Sequence, residues 1–289
     1  MRRTAPRTQS HATEPAASPG SIPSAPDCQT AFQSIATSCV NLIQHHRKAA
    51  IAADPEALHS VRIELTRLRA AVLFFSPMTD DDAWPEIKKE LRWLNSALGK
   101  ARDQDVTVSY SRRKRYRRWA RNSRRAIMRV ERKLDRKLNK TLASVRCNGL
   151  MTALNDWIAN GAWLKADRSV RCEHADAFAQ AKLKAWRQEV SREGQHLRDL
   201  RRKELHHLRI RCKRYRYVVA ALQSLGISIA RQELKFAETA KRVHGALGDL
   251  RDLRRLRRVA QERPPGYRKS KAKFIQIAEK SLNLHREAR

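Results

Sequence analysis

Two stretches of this sequence carry cations at matched spacing. Leu58–Phe75 reads LHSVRIELTRLRAAVLFF and Leu205–Leu222 reads LHHLRIRCKRYRYVVAAL, so His59, Arg62, Arg67 and Arg69 recur as His206, Arg209, Arg214 and Arg216. On a helix at about 100° per residue, Arg62, Thr66 and Arg69 fall within about 80° of His59, and Val61, Leu65, Leu68 and Val72 fall opposite. In the second copy His206, Arg209, Lys213 and Arg216 share one face, and Leu208, Cys212, Tyr215 and Val219 share the other. Each helix therefore packs by an apolar stripe and presents a cationic one about 15 Å long, from ten residues at about 1.5 Å rise. Arginine offers a fixed fork of donors that grips phosphate, and lysine adds a compact charge. The histidines donate a hydrogen bond when neutral and add charge when protonated.

Charge on one side of a helix is most often a solvated face. Two features argue otherwise. Neither stripe holds the acidic partners at i+4 that a surface helix intersperses, and the lone Glu64 lies off the stripe. The order His then Arg also recurs at the same spacing. Like charges three and four apart cost tenths of a kcal/mol per pair, so a repeated cationic stripe reads as a face built for an anion.

About 40 residues after each stripe a second phrase recurs: Leu98-Gly99 then Arg102-Asp103, and Leu247-Gly248 then Arg251-Asp252. Each glycine reads as a helix stop. Each Asp reads as the N-cap of a following helix or as the counter-ion of a motif arginine, and Arg102 and Arg251 join the cationic face. No second carboxylate accompanies the Asp at repeated spacing, so a catalytic carboxylate has no support.

The elements that must position these residues are helices. From residue 27 onward apolar residues recur at helical spacing, no alternating strand pattern occurs, and the 289 residues include only 9 glycines. Asp27 is placed to cap a helix bearing Phe32, Ile35, Cys39, Leu42 and Ile43, and Asp54-Pro55 to start the helix of the first stripe. The spacing predicts further helices over about 84–98, 116–145, 148–163, 174–193, 200–225 and 229–247, with a short one from Asp103. Pro264-Pro265-Gly266 breaks the chain before a basic terminal helix. The organisation that follows is a tail over 1–26, a first bundle over 27–163, a second over 164–263 and the terminal helix over 264–289. The separation of the duplicated motifs implies two equivalent halves related by a twofold operation.

The net charge is +33, from 62 Lys and Arg against 29 Asp and Glu, which favours a polyanionic partner: nucleic acid, an anionic membrane surface or inorganic polyphosphate. The five cysteines form no CxxC pair and read as reduced, partly buried thiols of a cytoplasmic protein. No apolar run is long enough to span a membrane. The run Arg112–Arg125 holds nine Lys and Arg with Tyr116 and Trp119 among them. Those aromatics could stack bases, but they also continue an apolar helical stripe, and core packing is the better reading.

The two motifs in tandem resemble the CHAD family, the conserved histidine alpha-helical domain. Its pattern, H-x-x-R-x-x-x-[RK]-R-x-R followed by L-G-x-x-R-D-x-D-V, is met by His59, Arg62, Arg67 and Arg69, then Leu98 to Val106. It is met again by His206, Arg209, Lys213, Arg214 and Arg216, then Leu247 to Asp252, and the likeness spans about 28–263. The resemblance implies an all-α fold of two related bundles about a pseudo-twofold axis, enclosing a basic groove or channel. It also implies binding of inorganic polyphosphate without catalysis, with no cofactor or metal, and association with polyphosphate granules. Departures are Thr66 where the pattern has Arg or Lys, and Arg254 where the counterpart of Asp105 would be acidic. Nucleic acid is the competing partner. Bases reward stacking platforms, and the two stripes show no aromatic on their cationic faces. A phosphoryl-transfer enzyme would need a phosphate-cradling loop or a metal cluster, and neither a P-loop nor HExxH occurs.

Overall fold

A computed structural model describes residues 26–52, 54–112, 136–165, 168–260 and 263–287, with the side chains of 55, 100–112, 259–260 and 284–287 outside that description. The chain is all-helical: α1 (Cys28–Ile51), α2 (Pro55–Phe74), α3 (Trp84–Arg112), α4 (Val145–Asn160), α5 (Ala175–Glu193), α6 (Arg202–Ser224), α7 (Arg231–Ala260) and α8 (Tyr267–Glu287), with single turns and a helical segment 136–143 between. Among the described residues there is no strand, and one isolated bridge joins Asp27 to His174.

The starts follow the sequence's capping residues. Asp27 Oδ1 accepts from the Thr30 amide at 2.7 Å, and Asp54 Oδ1 accepts from the amides of Glu56 and Ala57 at 2.9 and 3.3 Å. Ser144 caps α4 by accepting from the Cys147 amide at 3.2 Å, so α4 begins at Val145 rather than Asn148. The expected 116–145 helix falls largely outside the described residues. The end of α6 is a Schellman turn: Gly226 adopts φ 72°, its amide bonds Gln223 O, and the amide of Ile227 bonds Leu222 O.

The repeated Leu-Gly is not a stop. α3 runs through Gly99 to Arg112 and α7 through Gly248 to Ala260, so Asp103 and Asp252 lie inside helices and not at N-cap positions. The reason is packing. Val243, Leu247 and Leu250 join the main core on both sides of Gly248, and Leu253 and Leu256 are buried in a second cluster with Tyr267 and Phe274 of α8. This burial outweighs the roughly 1 kcal/mol that a mid-helix glycine costs.

One cluster of buried apolar side chains includes residues of both expected halves. Its centre is aromatic: Phe32 of α1 meets Trp163 edge-on at 5.3 Å, and Phe75 stacks on Phe178 of α5 at 5.5 Å. Across the halves α2 packs on α6 and α3 on α7, the same two helices in each copy. Cys28, Cys39, Cys147 and Cys212 are buried free thiols and Cys172 is exposed. Among the described residues no helix is long and apolar enough to cross a membrane.

Asp81 ties the α4 end to this core, accepting from Trp157 Nε1 at 3.0 Å and the Trp163 amide at 3.2 Å, while Trp163 Nε1 donates to Trp157 O at 2.8 Å. A Cβ on Gly161 would stand 2.4 Å from Trp157 O and 2.5 Å from Trp163 Cδ1. Gly161→Ala should therefore cost at least about 1–3 kcal/mol and lower the melting temperature by about 2–4 °C per kcal/mol. Gly149→Ala, at an exposed helical site with nothing within 4 Å, should be neutral or stabilising in the same thermal-unfolding measurement.

Candidate functional site: a cationic cluster at the α2–α6 crossing

The cationic faces of α2 and α6 meet. Lys213 Nζ of α6 donates to Thr66 Oγ1 of α2 at 3.0 Å, and Thr66 in turn donates to Arg62 O at 2.8 Å. Arg62, Arg209, Arg216 and Arg251 surround this lysine closely enough to act on its charge. Burial first, then these four guanidinium groups, push the Lys213 ammonium down from 10.5 to about 7. His244 of α7 completes the cluster. Burial, with Arg209, Arg216 and Lys213 beside it, lowers its pKa to about 3, and its buried Nε2 finds no hydrogen-bond partner among the described residues. His244 is therefore neutral at physiological pH.

α6 and α7 run antiparallel, so the cluster continues along them. Arg209 lies beside Gly248, where an added Cβ would stand 3.5 Å from its Nε. Beyond it opens a cleft of about 530 Å³, with Leu205, Leu247 and Leu250 as its apolar floor. Its walls are Arg202, Lys203, His206 and Arg209 from α6, and Arg251, Arg254, Arg255 and Arg258 from α7. No carboxylate is among these lining residues. His206 is exposed at the rim, and its pKa is lowered by partial burial and by Arg209 and Arg251, which leaves it a neutral hydrogen-bonding group at physiological pH.

In the first copy, Arg62 crosses to α3 and donates to Leu98 O at 2.5 Å, which shows what the Leu-Gly phrase does: it seats the motif arginine on the next helix. His59 is exposed. Arg102 lies on α3, and its side chain is outside the described residues. Thus Arg62, Arg209, Lys213, Arg216 and Arg251 are brought together, with His206 adjoining them.

The remaining motif arginines stand elsewhere. Arg67 is held by Glu64 at 3.0 Å, three residues back. Arg69 sits near Arg214 and Arg92, and Arg214 lines a different cleft between α2, α5 and α6. Arg67 and Arg214 lie about 140° around their helices from Arg62 and Arg209, as the helical period implies, whereas Arg69, expected on the Arg62 face, stands with Arg214 and Arg92. Two residues were missed. His244 is one; with Gly248, Arg251 and Arg255 it forms an i, i+4, i+7, i+11 face of α7, a pattern that a helix taken to stop at Gly248 conceals. Tyr217 is the other. Lys213 and Arg216 lie over its ring at 5.5 and 4.8 Å from the centroid, so an aromatic does adjoin the cationic cluster. Among the described residues no three His, Cys, Asp or Glu side chains gather as a metal site would require.

This arrangement concentrates positive charge along one helix crossing, and the chain is similar to known proteins over most of its length. The family model described as CHAD domain matches residues 34–261. The fold resembles the crystal structure of the CHAD domain from the plant Ricinus communis, with a TM-score of 0.70 at 23% identity over 93% of this chain and 89% of that one. It also resembles PptA from Streptomyces chartreusis, with a TM-score of 0.55 at 14% identity over 90% of this chain and 95% of that one. A search of curated proteins returned no match. With a family model covering most of its length, and its duplicated histidine–arginine motifs meeting at one helix crossing, the chain belongs to the CHAD domain family.

Proposed function

We propose that this chain binds inorganic polyphosphate without turning it over, along a groove that runs from the α6–α7 cleft to the α2–α6 crossing. The observation that carries this is Lys213: a half-buried ammonium whose charged neighbours are all cations. A single anionic chain threading past Lys213, Arg209 and Arg251 would replace that repulsion with several charge-assisted contacts at once. The family's link to polyphosphate supports the reading, and granule association is its cellular extension. Two contacts support a twofold relation of the halves. Thr66 touches Lys213, and Asp27 bridges His174; both pairs are 147 residues apart, the offset of the motifs themselves. Equivalent residues touch one another where a twofold axis passes.

Nucleic acid is the second reading, and Tyr217 is the observation that favours it. Its ring already carries two cations, so a base would have to displace them to stack. Competition at fixed ionic strength decides. Labelled long-chain polyphosphate should resist duplex DNA, single-stranded RNA and orthophosphate, and should yield only to unlabelled polyphosphate. Preferential displacement by RNA would move the nucleic-acid reading ahead.

Binding should weaken steeply with salt, with a slope of log affinity against log salt approaching about −0.7 per phosphate contacted, the value for single-stranded polyanions. Replacing Arg209 and Arg251 together by Gln should weaken binding by several kcal/mol, at about 1.5–3 kcal/mol per charge-assisted contact. Two charge removals within Arg112–Arg125 are the control. If these weaken binding more, the ligand follows that segment instead.

Binding should also take up a proton. Lys213 is held at about 7 when the groove is empty, and a polyanion alongside would raise it again. Affinity should thus be flat below pH 7 and fall as pH rises above it. Calorimetry at pH 8 in buffers of different ionisation enthalpy should count proton uptake, and Lys213→Met should abolish it.

A further inference from the structure

The second cleft, formed by α2, α5 and α6, has no part in that groove. It has a volume of about 320 Å³, near the lower end of the roughly 300–1,000 Å³ typical of small-molecule sites. One wall is apolar: Leu73, 40% exposed on an otherwise buried stretch, with Trp186 and Val190. Trp186 is fixed by an edge-to-face contact with the buried Phe74 at 5.3 Å, so its indole is a preformed surface. The other wall is cationic, made by Lys182, Arg211 and Arg214.

The duplication shows what is unusual here. Arg67 and Arg214 occupy the same place in the two copies. Arg67 is neutralised by Glu64 three residues back, whereas the residue three back from Arg214 is Arg211. Arg211 is itself engaged by two carboxylates of α5, Glu189 and Glu193. Arg214 is left partly buried beside two other arginines, Arg211 and Arg69, with no ion pair to any described carboxylate. The one carboxylate lining the cleft, Glu189, is thus already satisfied by Arg211.

A fixed indole facing an uncompensated guanidinium and ammonium, in a small cleft, matches one kind of ligand. We propose that this cleft binds a small aromatic phosphate, of which a nucleoside monophosphate is the biologically common form. The planar ring would lie against Trp186 and Leu73, where aromatic stacking adds to area burial. The phosphate would lie between Arg214 and Lys182, where arginine can grip two oxygens. This site is independent of the polyphosphate reading, because the duplicated groove lies on the Arg209 side of α6.

The test is equilibrium binding of AMP to the full chain at fixed, near-physiological ionic strength. Adenosine, ribose 5-phosphate, phenyl phosphate and orthophosphate are the comparators. The proposal expects saturable AMP binding that persists in Arg209→Gln/Arg251→Gln and in protein saturated with polyphosphate. Arg214→Gln should weaken AMP more than tenfold and leave polyphosphate affinity unchanged. Adenosine and ribose 5-phosphate should each bind at least tenfold more weakly than AMP, and phenyl phosphate should bind better than orthophosphate. Trp186→Leu should erase the preference for aromatic phosphates; because Trp186 packs on Phe74, Lys182→Gln tests the same site without touching the core. The proposal is overturned if AMP fails to bind, if ribose 5-phosphate matches it, if Arg214→Gln and Lys182→Gln leave its affinity intact, or if polyphosphate displaces it.

Discussion

The constraint that shapes this structure is a set of cations held together where two duplicated helices cross. Lys213, Arg62, Arg209, Arg216 and Arg251 converge at a partly buried crossing, and the charges that act on Lys213 are all of its own sign. Bringing like charges out of water raises the free energy of the charged forms, and the depressed pKa of Lys213 records that cost, on the order of a few kcal/mol. The same helix shows the opposite solution two residues away. Tyr215 donates to Glu233, which also pairs with the buried Arg187 at 3.0 Å, so a buried guanidinium on that face is fully answered. A carboxylate partner is thus available to a buried cation in this fold, and none acts on Lys213.

Everything around the crossing serves to hold those cations against their repulsion. A shared core with Phe32, Phe74, Phe75 and Trp163 locks the first-copy helices to α5. The buried stripes of α6 and α7 then fix an antiparallel register that sets Lys213 beside His244 and Arg209 beside Gly248. The rigidity matters for binding, because side chains already ordered lose little further entropy when an anion arrives. His244 fits that role as a neutral wall: protonation there is disfavoured by burial and by three cationic neighbours.

The sequence made some features plain and concealed others. The starts of α1 and α2 were legible because Asp27 and Asp54-Pro55 carry a local capping chemistry that needs no tertiary context. The cationic stripes were legible from helical period alone, and the family from the tandem histidine–arginine and Leu-Gly phrases it resembles. The Leu-Gly phrase misled because glycine is a helix stop only where packing does not continue beyond it, and burial does continue, at Leu250 in the main core and at Leu253 and Leu256 against α8. Taking α7 to end there hid His244 and the rest of its face. Arg67 and Arg214 recur in the motif but lie off its cationic faces, and the fold sends one to Glu64 and the other to the Trp186 cleft. Tyr217 was legible too: it stands about 20° around the helix from His206 and about 40° from Lys213, on the cationic face itself, and reading that face by its charges alone passes it over.

The central claim is that the fold tolerates an uncompensated charge at Lys213 for the sake of an anionic ligand. Lys213→Met removes that charge while keeping an unbranched apolar stem, at the loss of one hydrogen bond to Thr66. The most direct measurement is the unfolding free energy of this variant and of wild type at pH 6.5, with and without saturating long-chain polyphosphate. Lys213 carries its full penalty below pH 7, so the variant should be the more stable protein without ligand and should gain less stability from polyphosphate than wild type does. A variant that is less stable without ligand, yet gains as much from polyphosphate as wild type, would contradict the account.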